Sequence, residues 1–296
     1  SHRLSYGGGS FQVYVQGSTA NPAIVTFHDA GLEHKSCFGG LFNYELTQKM
    51  MEDFCVYHID APGCETGAGD LLGTTYPSVE ELAGVVHKAV EHFSLPRFVA
   101  MGSGIGCNVF LQYTQDYIKT KVMGMILFSP VITTCGWYEW SYYKTSLLQA
   151  RTSGYHMTSH LRDLFLYRYF GDRTVASNMD LVQIFEDYLS TETNVRNAIG
   201  LTESYLRRPD QTKIAASTSC RTLIVTGSDS PVLNDVVYSK GKFPSDNSSW
   251  QEVSACGSLV HEEVPQQIAS SLRLFLMGLS YPIGTLSKLS QLGVKQ

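Results

Sequence analysis

The chain has 296 residues, 43% of them hydrophobic and 17% charged, with a formal net charge of −5 and a pI near 6.0. That length and apolar content suit one large domain, or a domain with an inserted cap, and exclude a largely disordered chain. The absence of a basic stripe speaks against nucleic acid as a partner, and no run reaches the roughly 18 apolar residues of a membrane span.

Gly7, Gly8 and Gly9 make a glycine-rich opening, after which Phe11 to Val15 alternates like a strand. Asn21-Pro22 signals a turn, and Ala23 to Phe27 reads as a buried strand ending at the polar pair His28-Asp29. Leu41 to Asp53 looks helical, and Phe54 to Ile59 is strand-like and runs into Asp60 to Gly63. Ser78 and Glu81 match an S-x-x-E capping box. Val79, Leu82, Val85, Val86, Ala89, Val90 and Phe93 then recur at helical spacing until Leu95-Pro96. Phe98 to Met101 is a short strand, Gly102 to Gly106 a turn, and Val109, Phe110 and Tyr113 mark a helix. Val122 to Phe128 is a further buried strand. This alternation predicts an α/β fold, a mainly parallel sheet with helices on both faces.

Near Cys135 the pattern changes to helices crowded with aromatics, among them Trp137, Trp140, Tyr142, Tyr143, Phe165, Tyr167, Tyr169 and Phe170. Sheet rhythm resumes at Thr222 to Thr226 and Trp250 to Val253, and Ile268, Leu272, Phe275 and Leu276 mark a closing helix. The expected division is a core over 1–135 and 209–281, a helical cap over 136–208, and a polar tail over 282–296. The seven cysteines are odd in number and form no CxxC pair, so a reducing compartment is expected. The chain begins at Ser1 rather than Met, so it is expected to be trimmed, with native ends beyond it.

A strand–turn–helix carrying G-x-Nu-x-G is the nucleophile elbow of an α/β-hydrolase fold. Gly102-Ser103-Gly104-Ile105-Gly106 fits that frame, but the central residue is Gly104, which has no side chain to attack with. Ser103 is one position early and is read as satisfying local backbone hydrogen bonds. In the G-x-x-D-P frame of the acid, Gly227 to Pro231 places Ser230 where the Asp would stand. The neighbouring Asp229 is read as closing an Asx turn. In the frame of the base, Gly257 to Pro265 places Ser258 at the histidine position. His261, three residues on, is read as a surface histidine. Nucleophile, base and orienter act as a unit, so three losses together predict a retired active site and no hydrolytic activity. Asp29, after the first core strand, would bring a carboxylate to the oxyanion hole and oppose a developing negative charge.

These residues resemble the N-myc downstream-regulated gene (NDRG) family. Ile24 to Leu32, Lys35 to Phe38, Leu41 to Glu45, His58 to Gly63, Tyr76 to Ser78, Met101 to Gly106 and the aromatic cap opening Gly136 to Trp140 are similar to segments of that family, in order. The likeness runs from Tyr6 to Leu286 and is densest up to Trp140. It implies a non-enzymatic α/β-hydrolase fold acting as an adaptor or scaffold in stress response, differentiation, signalling or trafficking. It also implies a cytoplasmic location, with protein partners and with peripheral membrane or lipid contact open. The divergent cap and the lack of a long modified tail put partners bound there by other members in doubt.

Two alternatives stand beside the adaptor. One is a residual serine hydrolase using Ser103 with Asp229 or His261. The other is a binder of small apolar or lipid ligands in the old pocket. The cap aromatics mainly suit packing, with Trp137 and Trp140 as a candidate partner surface. No cofactor or metal is expected. His156 and His160, four apart, lack an acidic third ligand. The glycines at 102, 104 and 106 lack the full dinucleotide spacing.

Overall fold

The computed structural model describes residues 1–283 except 72, 74, 118 and 282; apart from Ile283, the polar tail lies outside the described residues. The strands are β1 (His2–Tyr6), β2 (Gly9–Gln16), β3 (Ala23–Phe27), β4 (Cys55–Ile59), β5 (Phe98–Ser103), β6 (Val122–Phe128), β7 (Arg221–Gly227) and β8 (Ser248–Val253). They form one sheet in the order β1-β2-β4-β3-β5-β6-β7-β8. Only the pairings of β2 with β1 and β4 are antiparallel. Every residue of β3, β4 and β5 is buried, because helices cover both faces of the parallel region.

Before the cap come α1 (His34–Asn43), α2 (Glu45–Met51), α3 (Val79–His92) and α4 (Ile105–Asp116). The cap comprises α5 (Trp137–Thr152), α6 (Ser159–Ser177), α7 (Met179–Thr191) and α8 (Val195–Leu206), between β6 and β7. The short α9 (Thr212–Ala216) precedes β7, and α10 (Leu233–Lys240), α11 (Val260–Glu263) and α12 (Pro265–Gly278) complete the core.

Two segments differ from their sequence reading. The helix expected over Leu41 to Asp53 is two helices broken at Tyr44, whose backbone is extended (φ −68, ψ 128). The first begins earlier than expected, because the Glu33 carboxylate caps it by accepting from the Lys35 and Ser36 amides. The glycine-rich opening is a hairpin: Tyr6 pairs with Gly9, leaving Gly7-Gly8 as a two-residue turn between β1 and β2.

The capping box of α3 forms as read, with the Glu81 amide donating to Ser78 Oγ at 3.3 Å and the Ser78 amide to Glu81 Oε2 at 2.8 Å. Ser78→Ala should therefore cost about 1 kcal/mol in urea denaturation. A change below about 0.3 kcal/mol would mean that packing alone holds the helix start.

Helix α6 bends at Gly171, whose φ is +70. A Cβ there would lie 2.3 Å from the Asp229 carbonyl, so glycine is required for the bend to rest on the loop after β7. The preceding Tyr169 carbonyl accepts from the Ser258 and Leu259 amides at 2.7 and 3.0 Å. The cap is thus hydrogen-bonded to the loop after β8.

Candidate active site

Gly104 sits at the sharp turn between β5 and α4 with φ 53 and ψ −115. A Cβ on Gly106 would lie 2.1 Å from the Phe27 carbonyl, and one on Gly102 would lie 2.7 Å from the Cys107 amide. Both glycines let helix and strands close to backbone contact.

The space where a side chain at 104 would project is occupied. The Asp29 carboxylate accepts from the Ala30 amide at 2.8 Å and the Ile105 amide at 3.0 Å, both on Oδ1. A Cβ on Gly104 would lie 2.1 Å from Asp29 Cγ. In a working elbow the amide following the nucleophile stabilises the oxyanion. Here that amide holds a carboxylate of the chain itself.

Arg168, from α6, closes the arrangement. Its Nε donates to Asp29 Oδ2 at 2.7 Å and its Nη2 to Oδ1 at 2.8 Å, a bidentate pair. Nη1 donates to the Tyr143 hydroxyl at 3.0 Å, and the guanidinium lies 4.1 Å from the Tyr205 ring centroid. Burial opposes the Arg168 charge, but the Asp29 carboxylate outweighs it and pushes the pKa above the usual arginine value. Sequence reading missed Arg168, although a single cation inside the apolar run Leu164 to Phe170 was a visible signal. The Tyr169 hydroxyl also donates to the Ala30 carbonyl at 2.5 Å. Asp29, Arg168 and Tyr169, all buried, thus pack together beside the elbow.

Ser230 and Ser258 are brought together, their hydroxyls 2.8 Å apart. Ser230 Oγ also accepts from the Val232 amide at 3.3 Å. Asp229 does not close the expected Asx turn: its carboxylate meets Arg173 of the cap at 3.5 Å, because α6 bends down onto this loop. His261 is not a surface residue; it is fully buried, with its ring 4.1 Å from Phe128 and 5.2 Å from Phe38. Burial pushes its pKa down to about 3, and its Nε2 lies 3.7 Å from the Cys37 thiol. Ser103 is buried too, and its side chain acts on the Cys37 thiol, opposing the effect of burial there. Burial raises the Cys37 pKa well above the usual thiol value, which disfavours the thiolate. His28 is buried, its Nδ1 donating to the Asp29 carbonyl at 2.7 Å and its Nε2 accepting from the Ala61 amide at 2.9 Å.

One metal-compatible group exists among the described residues, and the sequence reading did not single it out: Glu33, His34 and Asp60. His34 Nδ1 lies 2.9 Å from Glu33 Oε2 and 2.9 Å from Asp60 Oδ2. Burial favours the neutral ring, but hydrogen bonds donated to Asp60 and Glu33 outweigh it and push the pKa up to about 9. An imidazolium there supplies the positive charge that a cation would bring. His156 and His160 do not share a helix face, since His156 precedes α6.

His34 is a group whose folded pKa is raised, so its contribution is complete below the unfolded value of about 6.5 and is lost as pH rises through about 9. The protein should lose on the order of 3 kcal/mol from this residue across that window. Burial pushes Glu262 up to about 8 and Glu263 to about 7, which act in the same direction, so comparison with His34→Gln isolates the histidine. Urea midpoints of wild type and variant should converge from pH 6 to 9; parallel curves would refute the assignment.

The cap aromatics divide in two. Tyr143, Phe165, Tyr169 and Phe170 are buried, whereas Trp137 is 73% and Trp140 39% exposed. These two indoles stack with centroids 5.4 Å apart and planes 19° apart. Among the described residues, no helix is long and apolar enough to cross a membrane.

Comparison with known proteins places these features in context. The profile of the Ndr family matches residues 1–282. Protein NDL3 of Arabidopsis thaliana is 34% identical over 285 residues, covering 94% of this chain and 80% of that protein. Protein NDRG3 of Xenopus tropicalis is 29% identical over 302 residues, covering 98% and 76%. Among solved structures, a thermophilic esterase from Thermogutta terrifontis superposes with a TM-score of 0.77 at 15% identity, covering 94% and 99% of the two chains. The enol-lactonase from Burkholderia xenovorans gives 0.74 at 13% identity, covering 93% and 100%. At such low identities these likenesses show the fold alone, an α/β-hydrolase fold.

Proposed function

Because the chain belongs to the Ndr family, we propose that it is a non-enzymatic member of the α/β-hydrolase fold that works as an adaptor or scaffold for protein partners. The observation that carries this reading is the Asp29 carboxylate lodged against Gly104 on the Ala30 and Ile105 amides. Gly104, Ser230 and Ser258 stand at the positions of nucleophile, acid and base. The contact of Ser230 with Ser258 supports that alignment, because an acid and its histidine would meet in the same way. Acyl transfer would need a nucleophile, a base and free oxyanion donors, and each position holds something else.

The stacked, exposed Trp137 and Trp140 are the proposed partner surface, since large aromatics dominate protein interfaces energetically. The setting is the cytoplasm, in stress response, differentiation, signalling or trafficking. Two measurements test the reading. Ester and amide substrates should turn over at the uncatalysed rate, and a fluorophosphonate should leave Ser103 unlabelled. A partner retained by the wild type should be lost by Trp137→Ala/Trp140→Ala with the fold intact. Turnover abolished by Ser103→Ala would sink the non-enzymatic half, and partner binding indifferent to the tryptophans would sink the surface.

A further inference from the structure

A cleft of about 860 Å³ opens away from the elbow, between α3 and the cap helix α8. Arg196, Gly200, Glu203 and Arg207 follow one another at spacings of four, three and four, so they form one stripe along α8, and all four line the cleft. The stripe is roughly 16 Å long at 1.5 Å per residue. Lys88 and His87 of α3, Arg151 of α5 and Tyr117 line it too.

The cleft is cationic in a protein whose net charge is −5. Of its two carboxylates, only Glu203 has cationic partners among the described residues. Glu203 is shared by Lys144 at 2.8 Å and Arg151 at 2.6 Å. Glu81 accepts from the Ser78 amide in the α3 capping box. Arg196 pairs with Asp70 at 3.0 Å and lies over the Tyr155 ring. No carboxylate pairs with Lys88 or Arg207 among the described residues, although both line the cleft.

The same cleft holds an aromatic platform. His87 stacks on Tyr117 with centroids 4.2 Å apart and planes 17° apart.

We propose that this cleft binds a small organic phosphate bearing a planar ring, of the size and chemistry of a nucleoside monophosphate. Lys88 and Arg207 answer the phosphate charge, and the Tyr117 and His87 pair offers aromatic surface to the ring. The cleft volume falls within the usual range for such ligands, roughly 300–1,000 Å³. The site is separate from Asp29 and Gly104, so it stands or falls independently of the adaptor reading.

Isothermal titration of the full chain at about 50 mM salt, where phosphate attraction is little screened, tests the proposal with AMP, UMP, adenosine and inorganic phosphate as probes. AMP or UMP should bind with one site per chain and more tightly than adenosine or inorganic phosphate. Lys88→Ala/Arg207→Ala, two surface changes that leave the core intact, should weaken nucleotide binding at least about tenfold, the loss of two charge-assisted contacts. Tyr117→Ala should weaken nucleotide binding while sparing inorganic phosphate. Absence of binding by both nucleotides at about 5 mM, weaker than any useful affinity, would overturn the proposal, as would binding indifferent to the double variant. Adenosine binding as tightly as AMP would overturn the phosphate assignment, and inorganic phosphate binding as tightly as AMP would overturn the ring.

Discussion

Arg168→Ala is expected to lower the stability of the protein by about 3–5 kcal/mol, the usual cost of removing one partner from a buried ion pair. The substitution deletes both bonds to Asp29, the bond to the Tyr143 hydroxyl and the cation against Tyr205. It leaves a carboxylate that is 4% exposed with only the Ala30 and Ile105 amides to answer its charge. Domains of this kind have about 5–15 kcal/mol in total, so the variant should unfold at a much lower urea concentration at pH 7. The physical cause is the stranded charge rather than the lost contacts, and a second variant separates the two. Arg168→Met/Asp29→Asn removes the charge on both sides while keeping an acceptor for the amides, and should recover most of the loss. A single variant within about 1 kcal/mol of wild type would mean that the pair does not hold cap to core. A double variant as unstable as the single would assign the loss to packing.

Gly104→Ser is the second large effect, and it concerns activity as well as stability. Restoring a hydroxyl at the elbow would seem to rebuild the nucleophile. The new Cβ would meet Asp29 Cγ at 2.1 Å and its oxygens at 2.1 and 2.3 Å. It would also sit at φ +53, where L side chains are strained. Overpacking and backbone strain together should cost at least about 3 kcal/mol. Any folded fraction should hydrolyse p-nitrophenyl acetate no faster than buffer. Its serine would have Ser258 at the proposed base position, so nothing there would take its proton. Gly104→Ser/Asp29→Gly should regain room at the elbow and free the Ile105 amide at the cost of stranding Arg168, but with Ser258 at the proposed base position it too should remain inactive. Esterase turnover by the single variant would overturn the account of how this elbow is blocked.

The sheet was legible in the sequence because β3, β4, β5 and β6 are covered on both faces and therefore read as continuous apolar runs. The elbow was legible because Gly102 and Gly106 are required by backbone contacts that leave no room for a Cβ. β1 was not, since its residues are half-exposed at the sheet edge and carry no apolar pattern. The Asp29 and Arg168 pair joins residues 139 apart in the chain, which local patterning cannot see. Asp29 could be placed near the oxyanion hole, but not what it binds. His261 was misread for a similar reason. Its neighbours Glu262 and Glu263 suggest a surface, yet Glu262 is itself drawn inward, accepting from the Gly40 amide at 2.8 and 3.0 Å. Gly40 has no side chain, so α11 packs closely against α1 and carries the histidine into the core.

The anchoring of α6 has a consequence for recognition. A cap tethered only by its connecting loops samples many orientations, and a partner must select among them. Here the Tyr169 carbonyl is bound to the Ser258 and Leu259 amides, and Arg168 joins Asp29 of the core to Tyr143 of α5, the helix that begins with Trp137. The indole pair is thereby pre-organised with respect to the sheet. If a partner does use the proposed surface, docking would incur little ordering entropy on this side of the interface.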